Sequence, residues 1–298
     1  MPTLMLKLDG FVCGTIINRP SKAIKTPYVA DILPFQQDTP VLGHTASLGC
    51  CGLSDKGALI VMAPVPKTSK NSKSSKNNGN TNNAISNKLS CEYKVCLSVI
   101  SERDSEIVVG IHPKLAEDLA ESAIKNNLLG RLQNVKKYKR ETTIYVEGKV
   151  DSRFDFTGID CNNVPFIMEV KNVPLADYED ITAKERKNKC YDDRDINSKV
   201  AYFPDGYRKK STMPVSPRAL KHIRELTLIK RESITRCIMC YVIQRTDVGC
   251  FQPSIIDPEY RAAVKEAVEA GVEIITLVVQ WTKDGEAHFV RDELPINI

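Results

Sequence analysis

The sequence has no apolar run near the roughly 20 residues that a membrane-spanning helix needs, which argues against a helical membrane protein. Its first residues, Met1-Pro2-Thr3-Leu4-Met5, carry no charged segment followed by a long apolar stretch. No secretory signal is therefore expected, and the chain reads as intracellular, cytoplasmic or nuclear. It has little excess charge. Lys plus Arg number 42 and Asp plus Glu 37, so the net charge is +5. That balance is too mild for a protein that coats nucleic acid. The 298 residues show no internal repeat. Ten cysteines are present but scattered, and without an export signal they read as reduced thiols. Cys237 and Cys240 have the spacing of a zinc knuckle, but they lie in an apolar run, 234–242, that reads as a buried strand. They would diverge to opposite faces there, and no second Cys/His pair follows at suitable spacing.

What is present is concentrated between Ser152 and Lys171. Ser152-Arg153-Phe154-Asp155-Phe156 and Phe166-Ile167-Met168-Glu169-Val170-Lys171 both have strand character, with aromatic and β-branched residues around single charges. The turn-rich Asp160-Cys161-Asn162-Asn163 separates them. A hairpin brings Asp155 near Glu169, and Glu169 and Lys171, two apart, share a face. Two carboxylates and an ammonium on apolar strands suit a hard cation, Mg²⁺ or Mn²⁺, with positions left for water and a phosphate. Such an ion acidifies a bound water and offsets charge building on phosphorus. The plain alternative is a cross-strand ion pair on a solvated face.

The organisation around the hairpin implies two domains. In residues 1–110, short apolar segments at 4–8, 28–33, 58–62, 93–100 and 107–111 are punctuated by turns. About five strands make a small β-barrel such as an OB fold. A Lys/Asn/Ser-rich insertion at about 66–88 interrupts it and has almost nothing to bury. From 111 to 298 the pattern alternates. His112-Pro113 opens a helix, a helix or loop runs through Lys139, and the hairpin follows. A helix from Arg218 to Ile229 precedes a strand at 234–242. Asp257-Pro258 caps a further helix ended by Gly271, and the last strand is 272–281. This is an α/β domain with parallel crossovers. Basic runs at Lys136-Lys137-Tyr138-Lys139-Arg140, 184–189 and 208–210 could line a DNA groove or simply be solvated.

Several segments in fixed order resemble the sugar fermentation stimulation protein family: Ser152 to Phe156, Met168 to Leu175, Tyr202-Phe203-Pro204-Asp205, Lys221 to Leu226, Phe251-Gln252-Pro253, Asp257 to Tyr260 and Glu269 to Ile274. Tyr28 to Asp31 and His44 to Gly49 match more loosely. The resemblance implies an N-terminal OB-fold domain joined to a PD-(D/E)XK nuclease-type α/β domain, and DNA association. By carry-over, Asp155 and Glu169 hold the metal and Lys171 is the motif lysine. A further glutamate of the family sits on a helix before the hairpin. Glu141 is the candidate here, with Glu147 second. Arg153, Arg218, Lys221 and His222 fall on the substrate side, with Lys137, Lys139 and Arg140 as further DNA contacts. The chain departs from the pattern at Ser216-Pro217-Arg218-Ala219-Leu220-Lys221-His222, which lacks the family's glycine, and at His44-Thr45-Ala46. It also departs in two insertions, about 181–200 and 206–214.

Two functions are expected to compete. One is a Mg²⁺- or Mn²⁺-dependent nuclease acting on DNA, with Tyr28, Phe35 and Tyr93 as stacking platforms on the barrel. The other is a non-catalytic DNA-binding or regulatory protein on the same fold. No membrane partner is expected, and a homo-oligomer is left open.

Overall fold

The computed structural model describes residues 2–45, 52–66, 90–204 and 213–298. Nearly all of the 66–88 insertion and most of the 206–214 insertion lie outside them, as do Asp205 and the basic run at 208–210. The strands in order are β1 (Leu4–Lys7), β2 (Val12–Asn18), β3 (Val29–Pro34), β4 (Val41–His44), β5 (Leu59–Pro64), β6 (Tyr93–Glu102), β7 (Ser105–Gly110), β8 (Lys137–Val146), β9 (Val150–Ile159), β10 (Pro165–Val173), β11 (Ala176–Asp177), β12 (Lys199–Phe203), β13 (Arg236–Ile243), β14 (Val248–Pro253), β15 (Glu273–Trp281) and β16 (Glu286–Arg291). The helices are α1 (Pro113–Lys125), the short α2 (Ala183–Arg186), α3 (Pro217–Glu232) and α4 (Pro258–Glu269). None of these helices is long and apolar enough to cross a membrane.

The expected combination of a small N-terminal barrel and a mixed α/β region is what the structure shows. Strands β2 to β6 form a closed five-strand barrel. Its ring is completed by parallel pairing of β4 with β6, Gly43 opposite Tyr93 and His44 opposite Lys94. Its membership differs from the sequence expectation. The apolar segment at 4–8 is not in the ring: β1 pairs with β16 at the edge of the other sheet. The segment at 107–111 lies outside the ring as β7, paired only to β6. Their places are taken by β2 and β4, whose alternation is broken by polar and glycine residues. The stretch through Lys139, expected as helix or loop, begins strand β8.

The second sheet has the order β1-β16-β15-β13-β10-β9-β8. Strands β10, β13 and β15 run parallel, as crossover helices require. Helix α1 starts where the His112 side chain accepts from the Lys114 N–H, with Pro113 in its first turn. Its buried stripe, Leu115, Leu119, Ala123 and Ile124, packs on one sheet face with Phe156, Phe166 and Met168. Helix α4 is capped by Asp257, whose carboxylate accepts from the Tyr260 N–H. It ends before Gly271, whose φ of 92° lies in the left-handed region open to glycine. Helices α3 and α4 cover the opposite face with Phe154, Met239 and Tyr241. Cys237 packs on that α3 face and Cys240 on the α1 face, so strand alternation separates the two thiols. The barrel interior is completed from outside: Leu175 and Tyr202 belong to the same buried cluster as Ile32, Ile60 and Met62.

Candidate active site

Strands β9 and β10 pair as an antiparallel hairpin from Pro165↔Ile159 to Met168↔Phe156, and there the ladder stops. Beyond it the Asp155 carboxylate accepts from the Val170 N–H at 2.7 Å. A side chain thus replaces a backbone acceptor, and this fixes Asp155 against β10. Glu169 and Lys171 follow on one face of β10 and are hydrogen-bonded to each other. Asp155, Glu169 and Lys171 all line one cavity of about 370 Å³, together with Glu117, Asn172, Tyr202, Phe203, Ser216 and Arg218. The cavity opens at the end of the hairpin, between the starts of α1 and α3 and against the residues that plug the barrel.

The electrostatics of the two carboxylates differ. Burial, and then the neighbouring Glu169, push the Asp155 carboxyl up to about 7. Burial would also raise Glu169, but Lys171 and His222 outweigh it and hold that carboxyl below its usual value. Glu169 Oε1 accepts from both Lys171 Nζ and His222 Nδ1. Because Glu169 stays ionised, the His222 Nδ1 carries the proton of that bond. His222 is 3% exposed and packs on Phe154 with ring centroids 5.7 Å apart. Its ring nitrogen meets Glu169, and it also lines the hollow that Arg153, Arg218 and Lys221 share.

Glu169 Oε2 is buried and has no hydrogen-bond partner among the described residues. An orphaned carboxylate oxygen beside a second, buried carboxyl fits a hard divalent cation. Among the described residues no three carboxylate, imidazole or thiol groups already stand together as a ligand set. Of the groups in the cavity, the Asp155 and Glu169 carboxylates are the oxygen donors that would hold such an ion.

The structure does not bring Glu141 into this group. Register places it opposite Asp155, between the pairs Arg140↔Phe156 and Thr142↔Phe154. However, its backbone is left-handed, with φ 52°. Its carboxylate is directed to Lys114 at 3.4 Å and Arg153 at 3.5 Å, and it does not line the cavity. Glu147 is exposed in the β8–β9 turn. The helical glutamate that faces the cavity is Glu117 on α1. The sequence pattern gives the helix but not this glutamate, which stands at the edge of the buried stripe beside Ala120 and Ile124, one and two turns on.

The basic residues divide. Arg218 lines the carboxylate cavity and also a second hollow of about 420 Å³ with Arg153, Lys221, Ser152 and His222. Its guanidinium has no partner among the described residues, whereas Lys221 is bonded to the Asp151 carbonyl. Arg140, expected on a DNA surface, is consumed internally. It bonds Glu117, Asp118 and Glu121 at 2.9–3.1 Å and lies 5.5 Å over the Phe156 ring. Lys137 and Lys139 are exposed on the far edge of the sheet and line a separate groove with Phe166 and Ile167.

A family model described as the sugar fermentation stimulation protein RE domain matches residues 114–285, more than half of the chain. The chain belongs to the sugar fermentation stimulation protein family. It is 31% identical to a homologue from Pseudomonas savastanoi pv. phaseolicola over 186 residues, 62% of this chain and 65% of that one. The match thus spans just under two thirds of that relative's length. A homologue from Shewanella sediminis is 27% identical over 259 residues, 85% of this chain and 94% of that one. Among solved structures, Pyrococcus furiosus SfsA in complex with Ca²⁺ superposes with a TM-score of 0.69 at 19% identity. That comparison covers 99% of this chain and 100% of the other, and it shows that the family fold extends through the barrel as well.

Proposed function

We propose that this chain is a divalent-metal-dependent nuclease that hydrolyses phosphodiester bonds of DNA, with Mg²⁺ or Mn²⁺ held by Asp155 and Glu169. The observation that carries the reading is the buried, unpartnered Glu169 Oε2 in one cavity with Asp155 and Lys171. Calcium in the Pyrococcus furiosus protein supports a divalent ion in this fold. A bound ion supplies an acidified water and offsets negative charge on phosphorus. The side chains do the rest. Lys171 orients the water and donates to the anionic centre, His222 keeps Glu169 aimed, and Glu117 stands across the cavity as a further acceptor. The water oxygen bonds to phosphorus as one ester P–O bond breaks, and the departing oxygen takes up a proton. Arg218, without an ion-pair partner among the described residues and shared by both hollows, is suited to a backbone phosphate, with Arg153 and Lys221 flanking it.

The test is cleavage of single- and double-stranded DNA and RNA in Mg²⁺, Mn²⁺ and chelator. Wild type is expected to cut DNA only with the ion, and Asp155→Ala or Lys171→Ala to lose at least about 10³-fold in rate with an unchanged fold. Variants that cut as well as wild type would remove the catalytic assignment. One observation favours DNA binding without catalysis: Lys171 is already bonded to Glu169. Salt-sensitive binding with no product under any divalent ion would select that reading.

A further inference from the structure

We infer that Asn172 presents its amide N–H₂ to a phosphoryl oxygen of the nucleic-acid substrate, and that Gln244 and Trp281 hold it in that orientation. The inference rests on the nuclease reading above. Asn172 follows Lys171 on β10 and points to the other strand face, yet it lines the same cavity because the cavity opens at the strand end toward Pro113 and Glu117.

The orientation of its amide follows from one donor. An indole N–H can only donate. The Trp281 Nε1–H donates to Gln244 Oε1 at 2.8 Å, so the amino group of Gln244 is turned the other way. That amino group donates to Asn172 Oδ1 at 2.7 Å. Each amide alone could be flipped, but the chain Trp281→Gln244→Asn172 admits one assignment. The Asn172 oxygen is therefore occupied, and its amino group has no partner among the described residues. The atom that could ligate a hard cation is taken. What remains is a neutral donor pair on a residue that lines the cavity together with Asp155, Glu169, Lys171 and Arg218. Such a group serves an anionic substrate oxygen without competing for the ion.

The relay is rigid. Gln244 is 0% exposed and Trp281 3%. Strand β7, paired to the barrel's β6, also reaches it, since the Gly110 N–H donates to the Gln244 carbonyl at 3.0 Å. A Cβ at Gly110 would lie 2.0 Å from Gln244 Oε1 and 2.5 Å from Trp281 Nε1, so only glycine leaves room for the relay.

The test measures oligonucleotide cleavage in Mg²⁺, and Ca²⁺ affinity and thermal midpoint separately. Asn172→Ala is expected to lower kcat/KM by about 10²-fold, as removal of one preorganised donor does, with Ca²⁺ affinity and melting unchanged. Gln244→Met, a positioning change, should cost roughly 10-fold. The double variant should be no worse than Asn172→Ala alone, because Gln244 acts through Asn172. An Asn172→Ala enzyme with wild-type kcat/KM overturns the inference. So does Ca²⁺ affinity that falls in step with the rate, or losses that multiply in the double variant. If wild type itself neither cleaves nor binds any oligonucleotide, the nuclease reading falls first and this role falls with it.

Discussion

Two clusters of buried charge flank the junction of barrel and sheet, and they are finished to different degrees. In the first, Lys199 on β12 bonds Glu102 of barrel strand β6 at 2.5 Å and Asp247 at 2.7 Å. Arg245 holds Asp247 by two bonds, at 2.7 and 2.6 Å, and donates to the Pro174 carbonyl. Tyr178 donates to Glu102 at 2.7 Å. Burial would raise Asp247, but Arg245 and Lys199 hold it below the usual carboxylate range. In the second cluster Asp155 is pushed up, and Glu169 keeps an oxygen without a partner among the described residues. Buried charges that are fully paired are a structural device, here fastening the barrel to the sheet. Buried charges left incomplete in a cavity persist where a ligand completes them.

The contrast can be broken most forcefully at the paired cluster. Lys199→Met removes the ammonium between Asp247 and Glu102 and leaves them to Arg245 and Tyr178, and it should cost about 3 kcal/mol of stability in denaturant unfolding. A loss below 1 kcal/mol would mean that the junction is not held by this pairing.

The opposite sign is expected at the incomplete cluster. With a folded value near 7, well above its unfolded value, the Asp155 carboxyl favours the native state less as it ionises. Without divalent ions, wild-type stability should therefore fall as pH rises from about 4 to 7, by on the order of 2–3 kcal/mol. Asp155→Asn should be flat across that window and more stable at pH 8, by chemical denaturation. A parallel pH course in both proteins would contradict the burial argument.

A divalent ion should then close the gap between the clusters. At about 100 times its dissociation constant, Ca²⁺ should stabilise wild type by roughly 2.7 kcal/mol and leave Asp155→Asn nearly unmoved in a thermal scan. The smallest effect is expected at Arg218→Ala, which should weaken DNA binding about 10-fold and lower the salt slope by about 1. An unchanged salt slope would place Arg218 off the phosphate path.

The second cluster was largely legible in the sequence because its key members lie on one hairpin. Period-two alternation puts Glu169 and Lys171 on one face, and a short polar turn returns Asp155 to them. The misses are long-range. Glu141 stands in register with Asp155, but a left-handed backbone turns its side chain away, and Glu117 supplies the cavity carboxylate from α1. Arg140 belongs to a basic run by sequence, yet three carboxylates of α1 consume it. Strand β1 has the apolar pattern of a barrel strand and pairs with β16, some 280 residues along the chain.

By itself the sequence determined the local elements: the caps of α1 and α4, the alternation of β9 and β10, and the face shared by Glu169 and Lys171. These follow from backbone geometry and side-chain periodicity within a few residues. Only the tertiary structure decided which charges meet, that Lys199 finds Glu102 and Asp247 while Glu169 keeps one oxygen free. The pairing of a buried charge depends on which distant group the packed core delivers beside it, and no local pattern encodes that distance.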